Sequence, residues 1–292
     1  ITLIVSYPPG GTADLMARTV ATPLGKLLGT SIVVENKPGA SGQIAAAYVA
    51  KASPDGYTLM LDASSYSVNP SLFPKLPYDP NKDFKTLAIL AQYPNVLLVN
   101  PSFPAKSVKE LVAMAKAKPN TIAYASSGNG SAQHLAGALF EVKADVELQH
   151  IPYKGGGPAL NDVVGGQVPV FFGSVASTKQ YVDSGKLNAL AVTGKKRASS
   201  MPNVPTMAEA GVPGYEVYEW NGIFAPSATP AAILLKLSDA ITKVMQSSEV
   251  REKVLSLGGE PFQGGPDVAD KFIKGQMAEW AKLVKSGKIT VD

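Results

Sequence analysis

Residues 7–14, Tyr7-Pro8-Pro9-Gly10-Gly11-Thr12-Ala13-Asp14, form a glycine-rich loop between the run Ile1-Thr2-Leu3-Ile4-Val5 and a helical pattern over residues 13–28. A short run of apolar and β-branched residues predicts a strand, and an amphipathic repeat predicts a helix. In open α/β sheets, ligands bind beyond the carboxyl ends of the strands, where such loops lie. This stretch therefore predicts an α/β fold with a ligand site at the loop. Pro23 is expected to kink or end the helix.

The same arrangement recurs along the chain. Further glycine-rich loops stand at residues 37–42, 126–131 and 153–158. Apolar strands that alternate with helices indicate parallel sheets covered on both faces. We predict strands over residues 1–7, 30–35, 56–63, 87–92, 95–100, 121–126, 146–152, 168–173, 188–193 and 217–225. We predict helices over residues 13–28, 41–52, 107–117, 132–140, 158–164, 177–184, 230–246, 249–257 and 266–286.

Two proline-rich extended segments, residues 99–104 and 224–230, divide the chain. A length of 292 residues corresponds to about two domains. If both segments are crossings, residues 1–100 and 225–292 form one lobe and residues 101–224 form the other. The sequence thus predicts two α/β lobes joined by two crossing segments.

Composition excludes several classes of function. The chain has no cysteine and only two histidines, His134 and His150. Disulfides, thiolate catalysis, cysteine-ligated zinc and His-rich metal sites are therefore excluded, and we predict no metal and no cofactor. The net charge is +4 and is evenly spread, which argues against nucleic acid as a partner. No run of 18 apolar residues is present to span a membrane.

The glycine-rich loops are natural anion sites. A helix N-terminus presents unpaired N–H groups and a positive partial charge, and Thr12, Ser127 and Ser131 add hydroxyl groups. Arginine occurs only at Arg18, Arg197 and Arg251, none of which lies in these loops. A carboxylate bound here would therefore be held by neutral donors rather than by a bidentate guanidinium group.

Catalytic interpretations find less support in the sequence. The chain contains neither a G-x-S-x-G elbow nor a G-x-x-x-x-G-K-[ST] phosphate loop. His134 could act as a general base for Ser131, which leaves a hydrolase as the alternative function, but such a histidine more often orders its loop. Asp14, near a helix start, is most simply a capping or dipole-compensating carboxylate.

The chain resembles the Bug-type periplasmic solute receptors of tripartite tricarboxylate transporters. The matching motifs run through the chain in order: residues 8–14, 34–42, 54–59, 77–84, 124–136, 152–155, 185–187, 202–211 and 225–230. The resemblance implies a type II periplasmic-binding-protein fold, with a ligand cleft between two lobes that close about a hinge. It also implies a periplasmic monomer whose signal peptide is cleaved. Such a receptor would capture a small carboxylated compound without catalysis.

The resemblance also implies which residues bind the ligand. They are Tyr7, Gly11, Thr12, Ala13, Asp14 and Ser64 from the first lobe, and Ser127, Gly128, Ser131, Gly173 and Ser174 from the second. The run Phe172-Gly173-Ser174 lacks the aspartate that the family often has there, which disfavours amino acids as ligands.

The implied partner is a membrane permease, or in some relatives a sensor kinase. A third possibility is an interaction module whose cleft no longer binds a ligand. On the receptor hypothesis, Ser131→Ala should weaken ligand binding and leave the stability of the fold nearly intact.

Overall fold

The computed structural model describes residues 1–287 and 289–290, and these form an α/β protein. The chain divides into two compact units. The first unit consists of Ile1–Gln92 and Trp220–Val284, and the second consists of Tyr93–Glu219 with the described residues that follow Val284. Each unit contains its own strands, helices and apolar core. The predicted α/β class is confirmed.

The regular elements follow in chain order. The strands are β1 (Thr2–Val5), β2 (Val33–Asn36), β3 (Thr58–Asp62), β4 (Phe84–Val99), β5 (Ala123–Ser126), β6 (Gln149–Pro152), β7 (Val170–Ser174), β8 (Asn188–Val192), β9 (Tyr218–Pro226) and β10 (Glu260–Pro261). The helices are α1 (Thr12–Leu28), α2 (Gln43–Ala50), α3 (Ser65–Leu72), α4 (Val108–Ala117), α5 (Ala132–Ala144), α6 (Gly156–Val164), α7 (Val175–Asp183), α8 (Ala231–Gln246), α9 (Ser248–Ser256) and α10 (Pro266–Lys285).

In the first unit the strand order is β2-β1-β3-β9-β4, with β10 paired to β4. Strand β1 runs parallel to β2 and β3, whereas β9 runs antiparallel to β3. Helix α1 packs against β1 and β2, and α8 and α9 pack against α1. The core is apolar and largely aromatic at its centre, with Met60, Tyr66, Phe84, Trp220 and Phe224 among its buried members. The parallel β1 and β3 therefore end at the same edge of a well-packed sheet.

In the second unit the order is β4-β7-β5-β6, with β8 also paired to β4. Strand β5 runs parallel to β6 and β7, and β4 runs antiparallel to β7 and β8. Helices α5 and α6 pack against β5 and β7. Their apolar faces bury Ala125, Leu160, Val163 and Phe171 in the core or against it. The loops after β5 and β7 thus leave one edge of one sheet.

The structure and the predicted elements differ mainly at β4 and α3, and the short strand β10 was also not predicted. The sequence predicted two strands where the structure has the single strand β4. The strand can continue through Pro94 because this residue lies between the region that pairs with β10 and the region that pairs with β7. At that point the missing proline N–H is not required by a ladder. Helix α3 was not predicted, since Pro70 and three serines weaken its helical pattern. Helix α1 spans Thr12–Leu28, in agreement with the predicted range of 13–28, and Pro23 lies inside it and does not end it.

The chain passes from one unit to the other within strands, and not within the proline-rich segments. The boundaries between the units lie between Gln92 and Tyr93 in β4 and between Glu219 and Trp220 in β9. The sequence placed the corresponding boundaries at residues 100/101 and 224/225, in the coil that follows each strand. A continuous strand has no sequence feature that marks where its neighbouring strands change. The domain boundaries predicted from the sequence stay a prediction.

Candidate functional site

The predicted residues of the first unit lie where two neighbouring parallel strands end. Strands β1 and β3 are in register, with Val5 beside Leu61. Tyr7 and the start of α1 follow β1, and Ser64 follows β3. We call the set Tyr7, Gly11, Thr12, Ala13, Asp14 and Ser64 the first half-site. Because Gly11 is the N-cap residue and has no side chain, the first N–H groups of α1 receive no cap from it.

Asp14 holds the loop of the first half-site together. Its carboxylate accepts hydrogen bonds from Gly10 N at 3.0 Å, from Asn36 Nδ2 at 2.9 Å and from Arg18 Nε at 3.0 and 3.1 Å. Asn36 Nδ2 also donates to Tyr7 O at 3.0 Å, which ties the end of β2 to the loop. Both carboxylate oxygens are therefore engaged by the protein itself.

The charge state of Asp14 follows from these contacts. Burial opposes ionisation, but the hydrogen bonds from Arg18, Gly10 and Asn36 outweigh it and hold the pKa of Asp14 below its usual value. Arg18, in turn, forms a salt bridge with Asp14, with Nη2 at 3.0 Å from Oδ1. The structure thus gives Asp14 a positioning role and leaves direct ligand contact by Asp14 a prediction.

We expect Asp14→Asn to loosen this loop. The substituted amide would turn a buried N–H donor toward Gly10 N–H or the Arg18 guanidinium, so one hydrogen bond would be lost and the buried donor would have no acceptor. Such a loss lowers the free energy of unfolding by about 1–3 kcal/mol. Denaturant unfolding at pH 7 measures the change, and Asp239→Asn, at an exposed position of α8, is the control. Equal stabilities of the two variants would contradict the positioning role.

A buried carboxyl group, Asp62, is connected to the Tyr7 hydroxyl by hydrogen bonds through Ser65. Asp62 Oδ1 accepts from Ser6 Oγ at 2.5 Å, from Ala63 N at 2.8 Å and from Ser65 Oγ at 3.3 Å. Ser65 Oγ accepts the Tyr7 hydroxyl at 3.0 Å. The Tyr7 ring is therefore fixed through a chain of hydrogen bonds that ends on a fully buried carboxyl group.

The predicted residues of the second unit lie at the ends of β5 and β7. We call the set Ser127, Gly128, Ser131, Gly173 and Ser174 the second half-site. Gly128 has φ +122°, and a Cβ there would lie 3.0 Å from Tyr153 O, so the loop needs glycine at this position. Ser126 Oγ accepts Gly128 N at 3.1 Å and lies 2.6 Å from His150 Nε2. The loop is thus fixed on β5 and β6 before α5 begins.

Ser131 and His134 are arranged as a helix cap. Ser131 Oγ accepts the backbone N–H of His134 at 3.2 Å, and His134 Nδ1 accepts Gly130 N–H at 3.1 Å. The His134 ring stacks on His150 with centroids 3.9 Å apart. Burial, together with the charge of His150, lowers the pKa of His134 to about 3. The expectation that His134 orders its loop is confirmed.

The cap corrects one sequence-based expectation. Because the Ser131 hydroxyl caps α5, Ser131→Ala removes a helix cap as well as a possible ligand contact. Loss of an N-cap costs about 0.5–2 kcal/mol of stability. We therefore expect Ser131→Ala to lower stability by this amount, and not to leave it nearly intact.

The end of β7 completes the second half-site. A Cβ at Gly173 would lie 2.5 Å from Phe171 Cε1 and 2.7 Å from Thr178 Cγ2, so packing alone requires this glycine. Ser174 caps α7, with its Oγ accepting Ser177 N at 3.3 Å. Parallel neighbours β5 and β7 therefore bring two helix N-termini to one edge of the sheet.

Sequence reasoning missed residues that organise both half-sites. Asn36 and Ser65 hold the first half-site, and His150 supports the second. Asn36 lay within a matching motif and Ser65 directly followed a predicted site residue, which were the available signals. Across residues 1–287 and 289–290, no group of three His, Asp or Glu is placed to hold a metal ion. Likewise, none of the described helices is long and apolar enough to cross a membrane.

The chain is similar in sequence and in structure to known proteins. Residues 16–289 match the family described as "Tripartite tricarboxylate transporter family receptor". A Rhodopseudomonas palustris protein solved with adipate is 36% identical with a TM-score of 0.93, over 99% of this chain and 97% of that one. The periplasmic binding protein BugD is 34% identical with a TM-score of 0.91, over 99% of this chain and 98% of that one. MatC from Rhodopseudomonas palustris, with bound malate, is 33% identical with a TM-score of 0.90, over 97% of this chain and 98% of that one.

Proposed function

The chain belongs to the tripartite tricarboxylate transporter receptor family, and from this membership we propose that it binds a small carboxylate through the two half-sites. Receptors of this family are solute-binding proteins that work with transporter permeases. The resemblance predicted from the sequence motifs is thereby confirmed. The residues that contact the solute, and its chemical identity, are what we propose here.

One observation carries the proposal for the site. Helices α1 and α5 both begin beyond the ends of parallel strands, in glycine-rich loops that also contain the hydroxyls of Thr12 and Ser127. Within the described part of the chain, neither hydroxyl has a hydrogen-bond partner, unlike Ser131 and Ser174, which cap helices. Helix N-termini favour anions, and neutral N–H and O–H donors suit a carboxylate.

The charges around the half-sites support the same class of ligand. Arg18 is engaged by Asp14, and Lys37 is engaged by Glu35 at 2.6 Å. His134 is neutral at physiological pH because burial depresses its pKa. A carboxylate would therefore be held by hydrogen bonds to neutral donors. The relatives solved with adipate and with malate hold dicarboxylates, which supports an organic acid as the solute of this chain.

We propose binding without catalysis. The alternative hydrolase would use Ser131 as nucleophile and His134 as base, but Ser131 Oγ accepts the main-chain N–H of His134. The imidazole Nδ1 is occupied by Gly130 N–H, and a pKa of about 3 makes the ring a weak base. A general base works best with a pKa near the working pH. The pair is thus suited to order a loop.

We further propose that the receptor acts in the periplasm and delivers its solute to the membrane permease of a tripartite tricarboxylate transporter. Family membership supports this partner. Co-purification with the permease from membranes, strengthened by the bound solute, tests it. Solute-dependent capture of a sensor kinase instead of the permease would redirect the proposal.

Removing single hydroxyls tests the half-sites. A thermal-shift screen of small carboxylates first identifies a binder, because a ligand that binds the folded state raises its stability. For that acid, we expect Thr12→Val and Ser127→Ala each to weaken binding about tenfold or more, since a hydrogen bond to a charged group contributes about 1.5–3 kcal/mol. Titration calorimetry measures the dissociation constants.

Matched controls are available in each unit. Thr22→Val on α1 and Ser199→Ala in the second unit change exposed hydroxyls outside the half-sites. These controls should bind with the affinity of the wild type. Weakening by only one of the two site variants would show that the other half-site does not contact the solute. A screen of carboxylates without any binder would overturn the proposed function.

A further inference from the structure

Three polar side chains in the second unit form a line that the proposed carboxylate site does not use. Gln133 Nε2 donates to Asn95 Oδ1 at 3.2 Å and to Glu219 Oε2 at 3.1 Å. We call Asn95, Gln133 and Glu219 the Glu219 cluster. Its members come from β4, from the first turn of α5 and from β9.

The cluster borders the second half-site on two sides. Gln133 follows Ser131 by two residues, in the first turn of α5. Asn95 is the cross-strand partner of Ser174 in the β4–β7 pairing. The cluster therefore lies beside both helix N-termini of that half-site.

Asn95 anchors the cluster rigidly. Its backbone N–H donates to Thr193 Oγ1 at 2.8 Å, and its carbonyl accepts Thr193 N–H at 2.9 Å. Asn95 is fully buried, and its Nδ2 has no hydrogen-bond partner in the part of the chain that the structure describes. A buried amide donor without a partner is costly, which makes it a marker for a ligand or water that completes the site.

Among the described residues, no cationic side chain forms a salt bridge with the carboxyl group of Glu219. Its hydrogen bond comes from the neutral amide of Gln133. Tyr93 on β4 is the titratable group that faces it, and burial raises the pKa of that phenol too. Burial raises the pKa of Glu219 to about 7, with only Gln133 acting against it. Such a carboxyl group is stabilised by an added hydrogen-bond donor or positive charge.

We propose that Glu219, oriented by Gln133, is a specificity-determining residue that accepts a hydrogen bond from a hydroxyl or ammonium group of the solute. This inference rests on the proposed function, since it assumes that a solute carboxylate occupies the neighbouring half-site. The predicted solute is then a hydroxy or amino acid rather than an unsubstituted acid. The run Phe172-Gly173-Ser174 lacks the aspartate that would pair with the ammonium group of an amino acid. On this proposal, Glu219 supplies that carboxylate from β9.

The physical reason is a difference in interaction with one charge. A carboxylate partner attracts O–H and N–H donors, and an unsubstituted acid would place only its own negative or apolar groups beside it. Rejection of an analogue that cannot make the required hydrogen bond is a strong source of specificity.

Matched acid pairs test the inference. Calorimetry at pH 8 compares succinate with malate, glutarate with glutamate, and butyrate with 3-hydroxybutyrate. In the wild type, we expect at least one donor-bearing acid to bind about tenfold or more tightly than its unsubstituted partner. Glu219→Gln should reduce that ratio to about threefold or less, while Glu147→Gln, at an exposed position of the same unit, should preserve it. Ser127→Ala should weaken both members of the pair alike.

A pH series on the wild type needs no variant. Lowering the pH from 8 to 6 protonates Glu219, so the preference for the donor-bearing acid should fall, and the unsubstituted acid should bind no more weakly. Glu219→Gln should show no such change in preference.

The failures are distinguishable. If acids bind and Ser127→Ala weakens them, but the preference is absent, or is unchanged by Glu219→Gln and by pH, the specificity role of Glu219 is overturned and the proposed function stands. If none of the acids in the pairs or in the wider carboxylate screen binds, both are overturned.

Discussion

Replacing His134 with asparagine should remove the loss of stability in acid that this buried imidazole causes. The wild-type imidazole is 3% exposed, and burial together with His150 lowers its pKa from 6.5 to about 3. Between these values the unfolded chain binds a proton at this position that the native protein does not. The contribution of His134 is therefore present above about pH 6.5 and is lost as the pH falls toward 3.

The expected size of this effect is large. Each unit of pKa difference corresponds to about 1.4 kcal/mol, and about 2.5 units separate pH 4 from the usual pKa of 6.5. The native state should therefore lose about 3 kcal/mol between pH 7 and pH 4 through His134. In the His134→Asn variant, Oδ1 can replace Nδ1 as acceptor for Gly130 N–H, although the stacking on His150 is lost. The variant should be less stable than the wild type at pH 7, and the gap should narrow or reverse at pH 4.

Denaturant unfolding at pH 7.5, 6, 5 and 4 measures the difference between the two proteins. All other titrating groups are shared, so the difference reports His134 together with its coupling to His150. A constant gap across the series would show that the imidazole has the same pKa in the folded and the unfolded protein, and would reopen its use as a base. Linear extrapolation with equal m-values supports comparison of the two proteins.

Asp62→Asn should produce a pH dependence of the opposite sign. Burial raises the pKa of Asp62 from 3.8 to about 6, although Ser6, the Ala63 N–H and Ser65 donate to it. Between these values the unfolded chain has lost the proton that the native protein retains. Native stability from this group is greatest below about pH 4 and is lost as the pH rises through 6.

The neutral variant removes this loss. Two units of pKa correspond to about 3 kcal/mol, so Asp62→Asn should gain about that amount relative to the wild type between pH 4 and pH 7. Asparagine Oδ1 can accept from Ser6 Oγ and Ala63 N, as the carboxyl does. Its Nδ2 would occupy the position of Asp62 Oδ2, which has no hydrogen-bond partner among the described residues, so some constant cost is expected.

The same unfolding series measures the change, with Asp239→Asn as the exposed control of equal chemistry. A flat difference between Asp62→Asn and the wild type would mean that Asp62 is ionised in the folded protein at pH 5. The two effects on the free energy of unfolding partly cancel between pH 4 and 6. The contribution of His134 falls as the pH is lowered, whereas that of Asp62 falls as the pH is raised. The wild-type curve should therefore be flatter than that of either variant.

Local sequence determined where the half-sites begin. The run of strand, glycine-rich loop and helix predicted β1, α1, β5 and α5 closely, because caps, turns and periodicity depend on residues only a few positions apart. Elements without a clean local pattern were less accessible. Helix α3 contains Pro70, and Pro94 masked the continuity of β4.

Only the tertiary structure decided what the polar side chains do. Asp14 meets Asn36 from 22 positions away, and Gln133 meets Asn95 and Glu219 across separations of 38 and 86. Burial also shifts the pKa of Glu219 and of His134 in opposite directions, which no count of charges reveals. The physical reason is that backbone conformation responds to near neighbours, whereas desolvation and hydrogen-bond partners are set by whichever distant segments the fold brings into contact.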